Sequence, residues 1–192
     1  MKRLRELTSC CVLLAAIATA QSVPIDTQRS SMMLKVAKAG LFSAFGHNHE
    51  IRAPIASGSV DPSARSVRLK VDARALEVLD QDLEADKRAE VQKTMHSAAV
   101  LDTARFPEIE FVSRSVEMNG EDAYRVNGDL TLHGVTRPVV VSVRRQNGRY
   151  VGTATVRQTD FGIKPVAAGG GTVKVKDAVE VQFQIAIQGG MR

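Results

Sequence analysis

The sequence has little cysteine, few aromatic residues and no apolar run long enough to span a membrane. Its two cysteines, Cys10 and Cys11, fall within the first 20 residues, which we expect to be removed. The rest of the chain then has no cysteine, which excludes disulfides, thiol catalysis and zinc sites with cysteine ligands. The 26 basic and 21 acidic residues are interspersed, and there is no tryptophan. Without a basic stripe interleaved with aromatic residues, nucleic acid is not indicated as a partner.

The first segment has the layout of a secretory signal peptide. It reads MKRLRELTSCCVLLAAIATA: a basic opening, an apolar stretch, and small residues just before Gln21. The apolar stretch is too short to anchor the chain stably in a bilayer. We therefore predict cleavage after Ala20 and export to the periplasm or the medium. Residues 21–192 are long enough for one domain with its own core.

The remaining chain alternates between apolar and polar residues, the period of a β-strand with one buried and one solvated face. The alternation is clear in residues 66–76, 124–132 and 179–188. It is weaker in residues 31–38, 51–60, 108–118, 138–145 and 149–158. Turn signals such as NGED, HGVTRP and QNGR separate these stretches, which predicts about eight strands.

Residues 83–97 depart from this alternation and predict a helix. The stretch is rich in Ala, Glu, Lys and Gln, and it places Leu83, Val91 and Met95 near helical spacing. Asp82 precedes it as a candidate N-cap residue.

Many strands, short turns and one helix indicate a mainly β, mainly antiparallel fold. Eight strands with one apolar face can close on themselves, which removes both exposed sheet edges. We therefore predict a single antiparallel β-barrel with the helix packed at its side or end, and a two-sheet sandwich is the alternative. A barrel of this size is either filled by side chains or holds one small ligand. The slim inner residues, mostly Val, Leu, Ile and Ala, favour a cavity.

The motif GHNHEI contains His47 and His49, two of the four histidines. On a strand, residues two apart face the same side, so that both imidazoles could bind one metal ion. A catalytic zinc needs a third ligand, and His96 at the helix end is the candidate. The other interpretation, which we favour because H-x-H alone is a weak signal, is that the pair shapes the barrel mouth.

Two further stretches are candidate access elements. AGLFSAFG carries Leu41, Phe42 and Phe45, which can plug a barrel mouth. AAGGGTVKVKD has three consecutive glycines but lacks the Lys-Ser/Thr pair of a phosphate-binding P-loop. It is either an access flap or a plain connection.

The stretches TARFPEIEFVSRSV, YRVNGDLTLHGVTRPVVVSV and VRQTDFGI, in that order, resemble the YceI-like family of secreted bacterial proteins. GHNHEI and AAGGGTVKVKD resemble one branch of it, and the resemblance runs from Asp26 to Gln188. It implies a lipocalin-like antiparallel barrel with a helix closing one side. It also implies a ligand, a long isoprenoid lipid such as a polyprenyl phosphate or a quinone, held in an apolar tunnel.

An apolar chain exposed to water costs about 25 cal/mol per Å² of surface, and a dry tunnel removes that cost. The inner faces of the strands and the lid segment predict its wall: Leu34, Val36, Phe42, Phe45, Val71, Phe111, Leu130, Leu132, Val141, Phe161, Phe183 and Ile185. A polar headgroup would then lie at the mouth. Two basic sets flank the access loops there: Lys35, Lys38 and Arg52, or Lys164, Lys174 and Lys176.

These features predict a binding protein rather than an enzyme, with no catalytic residue and no cofactor other than a bound isoprenoid lipid or quinone. One alternative is a metal-binding protein or metal-dependent hydrolase centred on His47 and His49. The other is a non-catalytic partner of membrane redox proteins. A transient contact with a membrane or a membrane protein fits the lipid hypothesis.

Overall fold

The computed structural model describes residues 22–39, 48–168 and 173–189. Within these ranges the chain forms eleven strands and one α-helix. In chain order they are β1 (Val23–Ala39), β2 (His49–Arg52), β3 (Ile55–Asp61), β4 (Ser66–Asp72), β5 (Glu77–Val78), α1 (Ala85–His96), β6 (Glu108–Met118), β7 (Ala123–Leu132), β8 (Val135–Gln146), β9 (Arg149–Arg157), β10 (Ala167–Ala168) and β11 (Val173–Ile187). Two short 3₁₀ turns cover Ala73–Ala75 and Gln158–Phe161.

Eight of these strands form a closed antiparallel barrel. Their order around the barrel is β1, β3, β4, β6, β7, β8, β9 and β11, and β11 pairs back with β1. Closure gives every barrel strand a partner on both sides, so that no long edge is left for aggregation. The predicted barrel is confirmed, and the sandwich alternative is wrong.

The predicted strand over residues 51–60 is interrupted. β2 pairs with the second half of β1, and β3 pairs with its first residues, Val23 and Pro24. Pro54 lies between β2 and β3 and has no backbone N–H to donate. The amide of Ala53 still donates to Met32 O at 3.0 Å, which keeps the broken strand against β1.

The barrel has two distinct ends. At one end, called here the helix end, α1 packs against β5, and its Met95 belongs to the same apolar cluster as Ile51 and Leu76. At the opposite end, three hairpins connect β3 to β4, β6 to β7 and β8 to β9. The last of these is an Asn147–Gly148 turn with positive φ at both residues, as the NG signal predicts for a tight hairpin.

Helix α1 is slightly shorter than predicted, and its N-cap is not Asp82. The N-cap residue is Glu84, which makes no side-chain capping bond. Leu83 is already held by a bond from its amide to Asp80 O, 3.2 Å long, so the turn before the helix is built on Asp80. Met95 is the buried residue of the helix and packs with Ile51, Leu76 and neighbouring apolar residues. Across the three described ranges, the structure has no helix long and apolar enough to cross a membrane.

Two aromatic rings lie against glycines on the inner face of the barrel. A Cβ on Gly128 would come within 2.5 Å of the Phe111 ring, and a Cβ on Gly152 within 2.5 Å of the Phe183 ring. Gly152 is directly opposite Phe183 in the sheet. Gly128 is diagonally across from Phe111 on the neighbouring strand. Because the two glycines have no side chain, each ring has room to lie against the barrel wall.

Gly152→Ala is expected to lower the free energy of unfolding by about 1–3 kcal/mol, because the new methyl group would lie 2.4 Å from the Ser142 carbonyl oxygen and 2.5 Å from the Phe183 ring. Urea denaturation measures the change. Thr153→Ala on the exposed face of the same strand is the control, with an expected change within about 0.5 kcal/mol. Equal effects of the two substitutions would contradict the close packing of ring and glycine.

Candidate functional site

The barrel encloses a cavity of about 1100 Å³. Protein interiors are otherwise packed as densely as organic crystals, with few voids larger than a water molecule. The cavity also exceeds the range of roughly 300–1,000 Å³ typical of small-molecule sites. A space of this size along the barrel axis is therefore a built feature of the fold and can take a ligand larger than most small molecules.

The middle of the cavity is apolar, and the polar groups among its described lining residues lie near the two ends. Typical wall residues halfway along are Leu34, Leu69, Val126, Val141 and Val181. The polar lining residues of the helix end are Lys38, His49, Lys87, Glu90, Thr94, Gln158 and Lys174. Those of the opposite end are Asp61, Arg65, Ser66, Tyr124 and Tyr150. The site thus offers a dry tube with polar rims.

Of the twelve predicted wall residues, the structure places nine on the cavity wall; the exceptions are Phe42, Phe45 and Phe161. Phe42 and Phe45 lie outside the described residues, as does Leu41 of the same lid segment. Of the basic residues predicted near the mouth, Lys38 and Lys174 line the cavity, whereas Lys35, Arg52, Lys164 and Lys176 do not. Whether the wall residues bind a ligand stays a prediction.

Phe161 is not part of the cavity wall. Its side chain is 1% exposed and packs in a cluster with Val156 and Ile163. The chain leaves strand geometry at the 3₁₀ turn before Gly162, whose φ of 74° is left-handed. The alternation of inward and outward side chains therefore ends there. The Phe161 ring packs among buried residues instead of lining the cavity. His133 supports this corner, since its Nδ1 lies 3.2 Å from Phe161 O.

His49 and Asp80 form a hydrogen-bonded pair at the helix end of the cavity. The distance from His49 Nδ1 to Asp80 Oδ2 is 2.6 Å. The other carboxylate oxygen accepts from the Glu50 amide at 2.8 Å. The Asp80 side chain is 3% exposed and that of His49 is 20% exposed. Both oxygens of a buried carboxylate are thus satisfied, and the imidazole is held in one orientation.

The backbone explains why this pair forms. The amide of Leu79 donates to Glu50 O at 2.8 Å, which extends the short pairing between β2 and β5 by one rung. That rung brings Asp80 beside the first residues of β2. Asp80 is not among the site residues predicted from the sequence. Its partner is 31 residues away along the chain, so no local pattern marks it.

The histidines do not assemble a metal site within the described residues. His47 lies outside them. The Nε2 atom of His96 lies 3.1 Å from both Leu76 O and Gln92 Nε2, so local groups engage it. No group of three His, Cys, Asp or Glu side chains in the described ranges could hold a metal ion.

At the opposite end, the carboxylate of Asp61 is used by its own hairpin. Hydrogen bonds from the Ala64 amide and the Ser63 hydroxyl hold the pKa of Asp61 below its ordinary value. The Ser63 amide donates to the same oxygen. The carboxylate is therefore charged at neutral pH, and its Oδ1 atom is occupied by the turn.

An eight-stranded barrel is either filled by side chains or leaves room for one small ligand, and this barrel leaves a cavity. Residues 24–187 match the YceI-like domain, and the chain belongs to this family. The UPF0312 protein of Shewanella baltica is 27% identical over 173 residues, covering 84% of this chain and 86% of that protein. The UPF0312 protein of Pseudomonas savastanoi is 42% identical over 87 residues, and this chain spans only 45% of its length. Neither name states an enzymatic activity.

Two solved structures share the fold. BcnA of Burkholderia cenocepacia superposes with a TM-score of 0.62 at 19% identity, covering 84% of this chain and 98% of that protein. A mutant CJ YCEI protein solved for nanotechnology applications superposes with a TM-score of 0.50 at 12% identity, covering 72% and 81%. These likenesses concern the fold.

Asp80→Ala is expected to lower the free energy of unfolding by about 1–3 kcal/mol, because the Glu50 amide and His49 Nδ1–H lose their buried acceptor. Chemical denaturation measures the loss. Asp82→Ala changes an exposed carboxylate of the same segment and should stay within about 0.5 kcal/mol. A similar loss in both variants would show that the pair does not hold this segment.

Proposed function

We propose that this protein is an exported binding protein that holds one long apolar lipid in its barrel cavity. The observation that carries the proposal is the cavity itself, about 1100 Å³ in volume with an apolar middle. A wall of aliphatic side chains offers no hydrogen bonds to water and strongly favours an apolar occupant. The shape along the barrel axis suits a chain rather than a compact molecule.

Burial of apolar surface supplies the binding free energy. Each methylene group moved from water into the cavity contributes about 0.8 kcal/mol. A long hydrocarbon therefore gains more than its ordering costs without any charged group in the middle of the tube. Side chains such as Val71, Leu130 and Ile185 provide this surface.

The isoprenoid character of the lipid rests on the family. The YceI-like domain covers residues 24–187, and the resemblance that the sequence motifs carry implies polyprenyl or quinone-type ligands. A branched chain with methyl groups at regular intervals also fits a wall of branched Val, Leu and Ile side chains. A lipid carrier of this kind works where it meets membranes, which agrees with the proposed signal peptide.

Native mass spectrometry of the protein purified gently after export tests the lipid. We expect one discrete added mass that organic extraction removes. Ala154→Phe places a ring into the cavity, and it should displace the added mass. Thr155→Phe places the same ring on the outer face of β9 and should leave it unchanged. A bare polypeptide mass in the unsubstituted protein, or equal occupancy in both variants, would contradict the proposal.

Export has its own test. Expression of residues 1–192 in a bacterial host should yield a periplasmic or secreted protein whose first residue is Gln21, because a peptidase removes the segment after Ala20. N-terminal sequencing or intact-mass measurement identifies the first residue. An uncleaved chain that stays in the cytoplasm is the contradicting result.

A further inference from the structure

The hydrogen-bonded pair of His49 and Asp80 lies at the helix end of the cavity, and an apolar chain has no group that could bond to it. β2 places His49 directly opposite Val36 of β1, and both side chains lie on the cavity wall. Lys38, two residues further along β1, lines the cavity as well. The imidazole therefore stands where the apolar wall meets the polar rim, which is where the headgroup of an inserted lipid would lie.

Asp80 decides which ring atom of His49 faces a ligand. Its buried carboxylate accepts from the Glu50 amide with one oxygen and lies 2.6 Å from His49 Nδ1 with the other. A carboxylate only accepts, so Nδ1 carries its proton and donates it. Nε2 is then the ring atom left for a ligand, and it has no hydrogen-bond partner among the described residues.

A ring held in this orientation fits an acidic headgroup. At neutral pH a carboxylic acid is ionised and a phosphate monoester carries at least one negative charge. When such an oxyanion binds at Nε2 together with one proton, from the headgroup or from the buffer, the ring is an imidazolium whose Nε2–H donates to the oxyanion. The bond is then charge-assisted, which makes it stronger than a bond between neutral partners. An alcohol gives up no proton and gains only the weaker bond.

The charges around this position agree with an acidic headgroup. Lys38, Lys87 and Lys174 line the same end of the cavity. Lys174 is the register partner of Ala39, the residue after Lys38 in β1. Among the described lining residues of this rim, Glu90 is the acidic one. The Nζ atom of Lys87 lies 3.2 Å from its carboxylate. The exposed Asp82, Glu84 and Asp86 are not on the cavity wall.

We propose that His49, oriented by Asp80, binds an acidic oxygen headgroup, carboxylic acid or phosphate monoester, of the lipid in the cavity. This assignment rests on the proposed lipid-binding function and adds a headgroup preference to it. His49 contacts the headgroup. Asp80 is a positioning residue that acts through the ring.

Three probes with one C20 isoprenoid chain test the preference: geranylgeranic acid, geranylgeranyl monophosphate and geranylgeraniol. Delipidated protein should bind at least one acidic probe about tenfold or more tightly than the alcohol. The probe that binds more tightly identifies the source of the acidic group. His49→Phe should remove most of the preference, because the acidic probe loses a charge-assisted bond and the alcohol loses only a weaker one. Asp80→Asn should reduce the preference, because an amide in this place can reverse the ring tautomer.

Matched controls separate this effect from general damage. Glu50→Phe adds the same ring to the exposed face of β2, and Asp82→Asn makes the same change at an exposed carboxylate. Both should keep the preference. In the unsubstituted protein, addition of the acidic probe should shift the ¹⁵N resonance of His49 Nε2 far more than addition of the alcohol does, because only the acidic probe leaves a proton on that nitrogen. This measurement requires no variant to fold.

Equal binding of all three probes, a preference that His49→Phe leaves unchanged, or an unshifted Nε2 resonance would overturn the headgroup assignment and leave the lipid proposal standing. Failure of the unsubstituted protein to bind any probe, together with the absence of an extractable lipid, would overturn both.

Discussion

The pairing of β11 with β1 is the constraint on which the rest of the structure depends. The ladder runs from Ile25 opposite Ile187 to Ala39 opposite Lys174, so the first and last strands of the domain close the barrel along nearly its whole height. Closure turns one face of every strand toward a common axis. Register shifts near both ends of this ladder adjust the fit. Without this seam the inner face would be an open apolar sheet, and there would be no enclosed space.

The inner surface keeps the axis of the barrel open. Phe111 and Phe183, two of six phenylalanines in a chain without tryptophan, lie against Gly128 and Gly152. Large rings thus fill the space of missing side chains at the wall, and most other wall residues are slim and aliphatic. The same arrangement stabilises the barrel and preserves a cavity of about 1100 Å³. Close packing at the wall is therefore compatible with an open axis, and the polar lining residues lie near the two ends of the cavity.

Much of this architecture was predictable, because alternation along a strand reports directly which side chains face inward. The pattern predicted the barrel, the helix and nine wall residues, all of which depend on local period and closure. It failed where the chain departs from regular geometry. Pro54 interrupts a predicted strand, Glu84 rather than Asp82 begins the helix, and Phe161 leaves the wall at a 3₁₀ turn. In each case a turn or a missing backbone donor ends the regular structure, although the sequence pattern continues past that point.

Short-range periodicity and contiguous motifs are enough to predict the fold class, the inward-facing apolar residues and the family. The polar pair at the helix end depends on a contact that forms only in the folded chain. In the sequence, Asp80 is one of several acidic residues before a helix, and His49 is half of an H-x-H motif. An extra rung between β2 and β5 joins them across 31 residues. A contact between distant segments leaves no periodic pattern in the sequence. The burial and the hydrogen bond in the folded protein therefore reveal that the Asp80 carboxylate and the His49 ring form a pair.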